Sequence, residues 1–114
     1  MKRVPLNEIM SEVVVANGIA FLAGNVANEP SGDMRQETSE TLANIESTLR
    51  KIGSDKNHIL SATVYLTDMK QKPAMNEAWQ AFFDPAHLPG RATVEVSDLD
   101  GFVVEIVVTA KVPE

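Results

Sequence analysis

Two residues in the C-terminal quarter of the chain could do chemistry by their type and setting: Arg91 in LPGRATVEV and Glu105 in FVVEIVVTA. A guanidinium offers a fork of N–H donors that holds a carboxylate through two parallel charge-assisted hydrogen bonds. Pro89-Gly90 fixes the loop ahead of Arg91 and leaves its backbone open to a ligand. Glu105 stands among Val103, Val104, Ile106 and Val107, where an unpaired carboxylate is costly. Two readings are open for each. Arg91 is either a solvated arginine at a strand start or an anion clamp. Glu105 is either half of a structural ion pair with Arg91 or Lys111, or an acid bordering a pocket, where desolvation suits it to general acid/base work on a water. Either reading of Glu105 places it near a cation.

Other chemistry-bearing residues carry less by spacing alone. Asn76 sits among core-facing helix positions, Met75, Trp79, Phe82 and Phe83 read as core, and Tyr65 and Thr93 read as sheet surface. His58 and His87 are far apart with no paired ligand spacing, and there are no cysteines, which excludes disulfides and thiolate zinc sites. A metal is possible only through carboxylates, and no nucleophile triad, phosphate loop or dinucleotide fingerprint is present. A formal charge of −6 with scattered basic residues disfavours nucleic acid and anionic membrane as partners. MKRVPLNEIM lacks the apolar core of a signal peptide and no apolar run reaches membrane-spanning length, so a cytoplasmic protein is expected.

The elements that must position these residues follow from periodicity. A chain of 114 residues, 44% hydrophobic and 23% charged, is expected to fold as one domain over 1–114. EVVVANGIAFLAG reads as two strands around a tight Asn17-Gly18 hairpin. Asp33 with Gln36 resembles a helix cap, after which Thr38, Leu42, Ile45, Leu49 and Ile52 recur at helical steps until Gly53. In HILSATVYLTDM, Leu60, Ala62, Val64 and Leu66 alternate with polar residues, so a third strand is expected there. AMNEAWQAFF reads as a second helix ended by DPAHLPG, and ATVEV and FVVEIVVTAKV read as two strands joined by DLDG. The order is ββαβαββ.

Two helices can cover one face of such a sheet. The last strand carries apolar side chains on both faces: Phe102, Val104, Ile106, Val108 and Ala110 on one, Val103 and Val107 beside Glu105 on the other. Hiding each such valine contributes about 1.5 kcal/mol or more, which favours an obligate homo-oligomer.

Taken together, LAGNV after an opening hairpin, SATVYLTDM, MNEAWQAFF and PGRATVEVSDL followed by VEI resemble the YjgF/RidA family of reactive-imine deaminases, over nearly all of the chain. The resemblance implies a chorismate-mutase-like α+β subunit, with a mixed sheet and two helices on one face. It implies a homotrimeric barrel with ligand clefts between subunits. It implies cofactor-free hydrolysis of small 2-imino acids to 2-oxo acids and ammonia. Arg91 then matches the arginine that grips the substrate carboxylate and Glu105 the glutamate near the attacking water. Asn76, Gly24 and Thr93 match the asparagine of the helix motif, the glycine of an SGQ-like segment and the side chain two residues past the arginine. A carboxylate that takes a bidentate cation and a C2 that takes an oriented water make this pair a minimal kit.

The chain departs from that family pattern at its opening segment. EIMSEV replaces GPYS, so Met10 stands where a pocket tyrosine is often found, with Ser11 next to it; Ala23 and Asn25 replace a serine and a glutamine, and VEIV replaces VEIE. A missing hydroxyl bears on substrate range more than on carboxylate binding. The alternative function is a non-catalytic trimer that senses small carboxylic metabolites in the same clefts.

Overall fold

The computed structural model describes residues 1–113. Its elements are β1 (Lys2–Pro5), β2 (Ser11–Ala16), β3 (Ile19–Leu22), α1 (Met34–Lys51), β4 (Ile59–Leu66), α2 (Lys72–Phe82), β5 (Gly90–Glu95) and β6 (Val104–Lys111), with three short 3₁₀ turns between. The architecture is α+β, as expected. The six strands form one sheet in the order β1-β2-β3-β6-β4-β5, mixed because β4 and β5 alone pair parallel.

The ββαβαββ order expected from the sequence is short by one strand, β1. Four residues are too few to show a period, and Val4 alone is half-buried. The β1–β2 ladder slips between Val4 and Pro5. Proline has no N–H to donate, and the sheet tolerates it here because β1 lies at the edge.

Local chemistry accounts for the rest. Asn17 and Gly18 take φ of 52° and 75°, the two-residue hairpin geometry whose twist suits its strands, and Ala16 faces Ile19 across it. Asp33 accepts the Gln36 N–H at 2.9 Å and caps α1; Gly53 follows its end at φ 83°, which a side chain would resist. The inward positions of β6, from Val104 to Ala110, are buried with Leu42, Ile45 and Leu49 of α1 and Met75 and Trp79 of α2 in one core. Both helices therefore lie on the same face of the sheet. β6 is a central strand, between β3 and β4, which is why its sequence is so apolar.

One expected alternation fails. Leu60 is 49% exposed while Ile59 is buried. A bulge causes the switch: Ile59 faces Ala110 and Ser61 faces Thr109, leaving Leu60 as the extra residue. The uncovered sheet face carries Phe21, Val107, Thr63, Tyr65, Glu105 and Thr109, each alternating with core residues along its strand, and Val94, which pairs with Tyr65.

Glu37 is fully buried, where a carboxylate stands only if its oxygens are met. Its carboxylate accepts backbone N–H groups from Ser31, Gly32 and Val103, each at 2.9 Å. It thereby ties α1 to the loop before it and to the residue that leads into β6.

Candidate functional site

Arg91 lies on β5, the edge strand, opposite Ala62 of β4, and Thr93 lies opposite Val64. Ala62 and Val64 face the core, so Arg91 and Thr93 point to the helix-covered side. There the guanidinium sits against α2: its Cζ is 4.9 Å from the Trp79 ring centroid, and Nη1 donates to the Met75 sulfur at 3.6 Å. Burial lowers its pKa from the ordinary value, yet a guanidinium starts so high that it stays charged at neutral pH. Among the described residues no carboxylate lies within ion-pair distance of it, and Nε and Nη2 have no protein acceptor. A half-buried cation is thus presented without a counter-ion.

Glu105 is on the other side of the sheet. It alternates with Val104 and Ile106, both fully buried in the core, and faces Tyr65 across β4. Its carboxylate packs against Gly24, where a Cβ would stand 2.7 Å from Oε2 and 3.0 Å from Cδ. Two backbone hydrogen bonds of 2.9 Å between Asn25 and Ile106 pin that loop to β6. The expected ion pair is absent among the described residues, with Arg91 and with Lys111 alike. The sheet separates Glu105 from Arg91, and six residues along an extended strand, about 20 Å, separate it from Lys111. Among the described residues Glu105 therefore has no cation beside it.

The remaining expected residues divide between these places. Asn76 is half-buried on α2, one residue from Met75 and three from Trp79, so it belongs with the Arg91 side. The Glu12 carbonyl accepts the Ala23 N–H at 3.0 Å, which runs the start of β2, with Ser11, beside the Ala23-Gly24 segment. Met10 precedes it, 46% exposed, in a loop turned by the Asn7 side chain, which accepts the N–H groups of Ile9 and Met10. The chain thus groups these residues in two places, a cation half about Arg91 and an acid half about Glu105, on opposite faces of the sheet. The concavities at the start of α1 and at the β2–β3 hairpin are lined by neither Arg91 nor Glu105.

Both histidines end 3₁₀ turns, each beside the aspartate three residues earlier. Asp55 accepts from His58 Nδ1 at 2.8 Å and from the Asn57 N–H at 2.9 Å, and the His58 bond is the main reason its pKa is lowered. A depressed folded pKa gives stability that is present above the unfolded value and lost as pH falls through the folded one. Asp55→Asn is expected to flatten the acid side of the stability-pH curve below about pH 4, read by thermal melts across pH 2.5–6; an unchanged slope would remove Asp55 from acid sensitivity.

The family described as Endoribonuclease L-PSP matches residues 4–112. A RutC family protein from Haemophilus ducreyi is 40% identical over 96% of this chain and 95% of its own length. The RutC family protein YoaB from Escherichia coli K12 is 38% identical over 90% of each chain. A crystal structure of a YjgF family member from Neisseria meningitidis superposes with a TM-score of 0.93 at 35% identity, covering 99% of this chain and 95% of that one. The chain belongs to the YjgF/RidA family.

In this YjgF/RidA chain, sequence reasoning left out the partners of the cation. Met75 and Trp79 read as core, and buried they are, yet they also carry Arg91. Their i, i+4 spacing on α2 was the available signal. Gly24 gives a direct test of the acid half. Gly24→Ala is expected to displace the Glu105 carboxylate, a flexible group that can give way, and so to change stability by less than about 1 kcal/mol while lowering any activity that uses Glu105. Unaltered activity in that variant, with an intact melt, would separate Glu105 from function.

Proposed function

We propose that this YjgF/RidA member is a cofactor-independent imine deaminase of the cytoplasm. It hydrolyses small 2-imino acids to 2-oxo acids and ammonia, as a homotrimer with its sites at subunit seams. The observation that carries this reading is Arg91, a half-buried guanidinium held by Met75 and Trp79 with its Nε and Nη2 donors free of protein acceptors among the described residues. A small carboxylate is the ligand that such a fork complements. The opposite placement of Glu105 supports a seam, because the cation half of one chain and the acid half of its neighbour can then border one cleft. The apolar residues of the uncovered face, Phe21 49% exposed among them, support packing of that face against other copies.

The chemistry balances without further reagents. Arg91 fixes the carboxylate, Thr93 and Asn76 line its side of the cleft, and Gly24, Ser11 and Met10 border the acid side. As water adds to C2 of the imine, Glu105 takes a proton from it and passes that proton to the imine nitrogen, giving a carbinolamine. On collapse Glu105 takes the carbinolamine's hydroxyl proton and delivers it to the amino nitrogen, which expels ammonia and leaves the 2-oxo acid.

The test generates an imine in situ with an amino-acid oxidase and follows its decay with and without the protein. Faster decay is expected; decay at the spontaneous rate would remove the deaminase reading. The exposed Met10, in place of a tyrosine hydroxyl, favours one second reading, a sensor that binds the same acids without turnover. Saturable 2-oxo acid binding with unchanged imine decay would select it. The net charge of −6 opposes an RNA substrate. A monomer by light scattering would overturn the seam.

A further inference from the structure

We propose that Trp79, helped by Met75, is a positioning residue that sets the plane of the Arg91 guanidinium, so that its Nε–Nη2 edge is the one presented to a carboxylate. The inference rests on the deaminase reading for its kinetic consequence and on geometry alone for its structural one.

Arginine has a long side chain with many rotamers, and an unpaired guanidinium on an edge strand has every reason to swing into water. Here it does not. The indole lies 4.9 Å from Cζ, at the distance where the ring's negative face attracts a cation. The Met75 sulfur takes an N–H of Nη1 at 3.6 Å, so one end of the guanidinium has a soft partner and the other is left free. Both supports are rigid. Met75 is fully buried and Trp79 is 7% exposed, and the Trp79 ring is itself packed on Phe83, with centroids 4.6 Å apart.

Neutral groups suit this task. A carboxylate in either position would orient Arg91 equally well, yet it would occupy the fork and compete with the ligand. An aromatic face and a thioether hold the cation while leaving its charge available. The arrangement lowers the entropy lost on ligand binding, since the fork is already aimed.

The experiment compares Trp79→Leu, Trp79→Phe and Met75→Leu with the parent, and runs Arg91→Ala in parallel. In the free protein, the Arg91 Nε–H proton is read by NMR. Trp79→Leu should remove the ring-current displacement of that proton and lower the order parameter of the N–H, whereas Trp79→Phe should retain part of both. With an imine generated in situ, Trp79→Leu should raise KM by about two- to thirtyfold, from the exposed to the desolvated range of cation–π contributions. Its kcat should stay within about twofold and Trp79→Phe should recover most of the loss, because uniform binding is what is removed. Met75→Leu, which keeps the volume, should raise KM less. A purely structural Trp79 predicts a lower melting temperature with unchanged KM and an unmoved Nε–H signal, and that result overturns the proposal. If Arg91→Ala leaves turnover intact, the clamp role of Arg91 fails instead, and the NMR arm still decides the positioning; if the parent leaves imine decay at the spontaneous rate, the deaminase reading fails. If Trp79→Leu does not fold, Trp79→Phe and Met75→Leu carry the test: both KM values and the Nε–H signal at parent values would overturn it.

Discussion

Replacing Arg91 by alanine is expected to lower kcat/KM for imine hydrolysis by about 30-fold to several thousand-fold, the equivalent of about 2–5 kcal/mol for truncating one partner of a buried charge pair. The folded protein should barely notice. Arg91 makes no ion pair among the described residues, and its stack on Trp79 is worth about 0.5–1 kcal/mol where the cation is half-exposed. Loss of turnover with an almost unchanged melting temperature is therefore the signature of a ligand clamp. Arg91→Lys should rescue little, because an ammonium keeps the charge but not the planar fork. A surface arginine without a role would give parent kinetics in both variants.

The largest effect on stability belongs to Glu37. Glu37→Ala removes the charged acceptor of three part-buried hydrogen bonds, from the N–H groups of Ser31, Gly32 and Val103, and a hydrogen bond to a charged group contributes about 1.5–3 kcal/mol. A loss of at least about 3 kcal/mol follows, or about 12 °C in melting temperature for a domain of this size. Glu37→Gln should fall between, since an amide nitrogen cannot accept and at least one donor then opposes another. Activity should suffer with stability here, because the Val103 bond anchors the chain two residues before Glu105. Chemical denaturation and melts of both variants check this; a shift under about 2 °C for Glu37→Ala would mean that water replaces the carboxylate.

What could be read from the sequence was what depends on neighbours along the chain. The Asn17-Gly18 turn, the Asp33 cap and the in-out alternation of β6 are set by residues a few positions apart, and all three stand in the structure. What depends on partners far away could not be read. The burial of Glu37 is decided by a loop six residues back and by Val103 66 residues on, and nothing in RQETSETLANIE announces either. Its place on the Met34, Thr38, Thr41 and Ile45 side of α1 was the one available hint. Leu60 was misplaced because a bulge adds a residue without changing the sequence pattern. β1 was missed because it is short and rests on one neighbour.

The candidate pair shows the same division. Arg91 and Glu105 could be singled out by type, but their faces depend on which residues of β4 they pair with. Ala62 beside Arg91 turns it under α2, while Tyr65 beside Glu105 turns it to the uncovered face. The expectation that Glu105 stands near a cation within the chain fails for that reason. The same geometry gives the proposed seam its logic, since each half then needs its complement from another copy.

The central claim is that Arg91 of one chain and Glu105 of a neighbour share a cleft that holds a small carboxylate. A crystal structure of the protein with 2-oxobutanoate tests it most directly. The account predicts an oligomer with the carboxylate on Nε and Nη2 of Arg91, and C2 facing a water held by the neighbouring chain's Glu105. Ligand density away from Arg91, or an assembly in which the two residues border no common cavity, would contradict it.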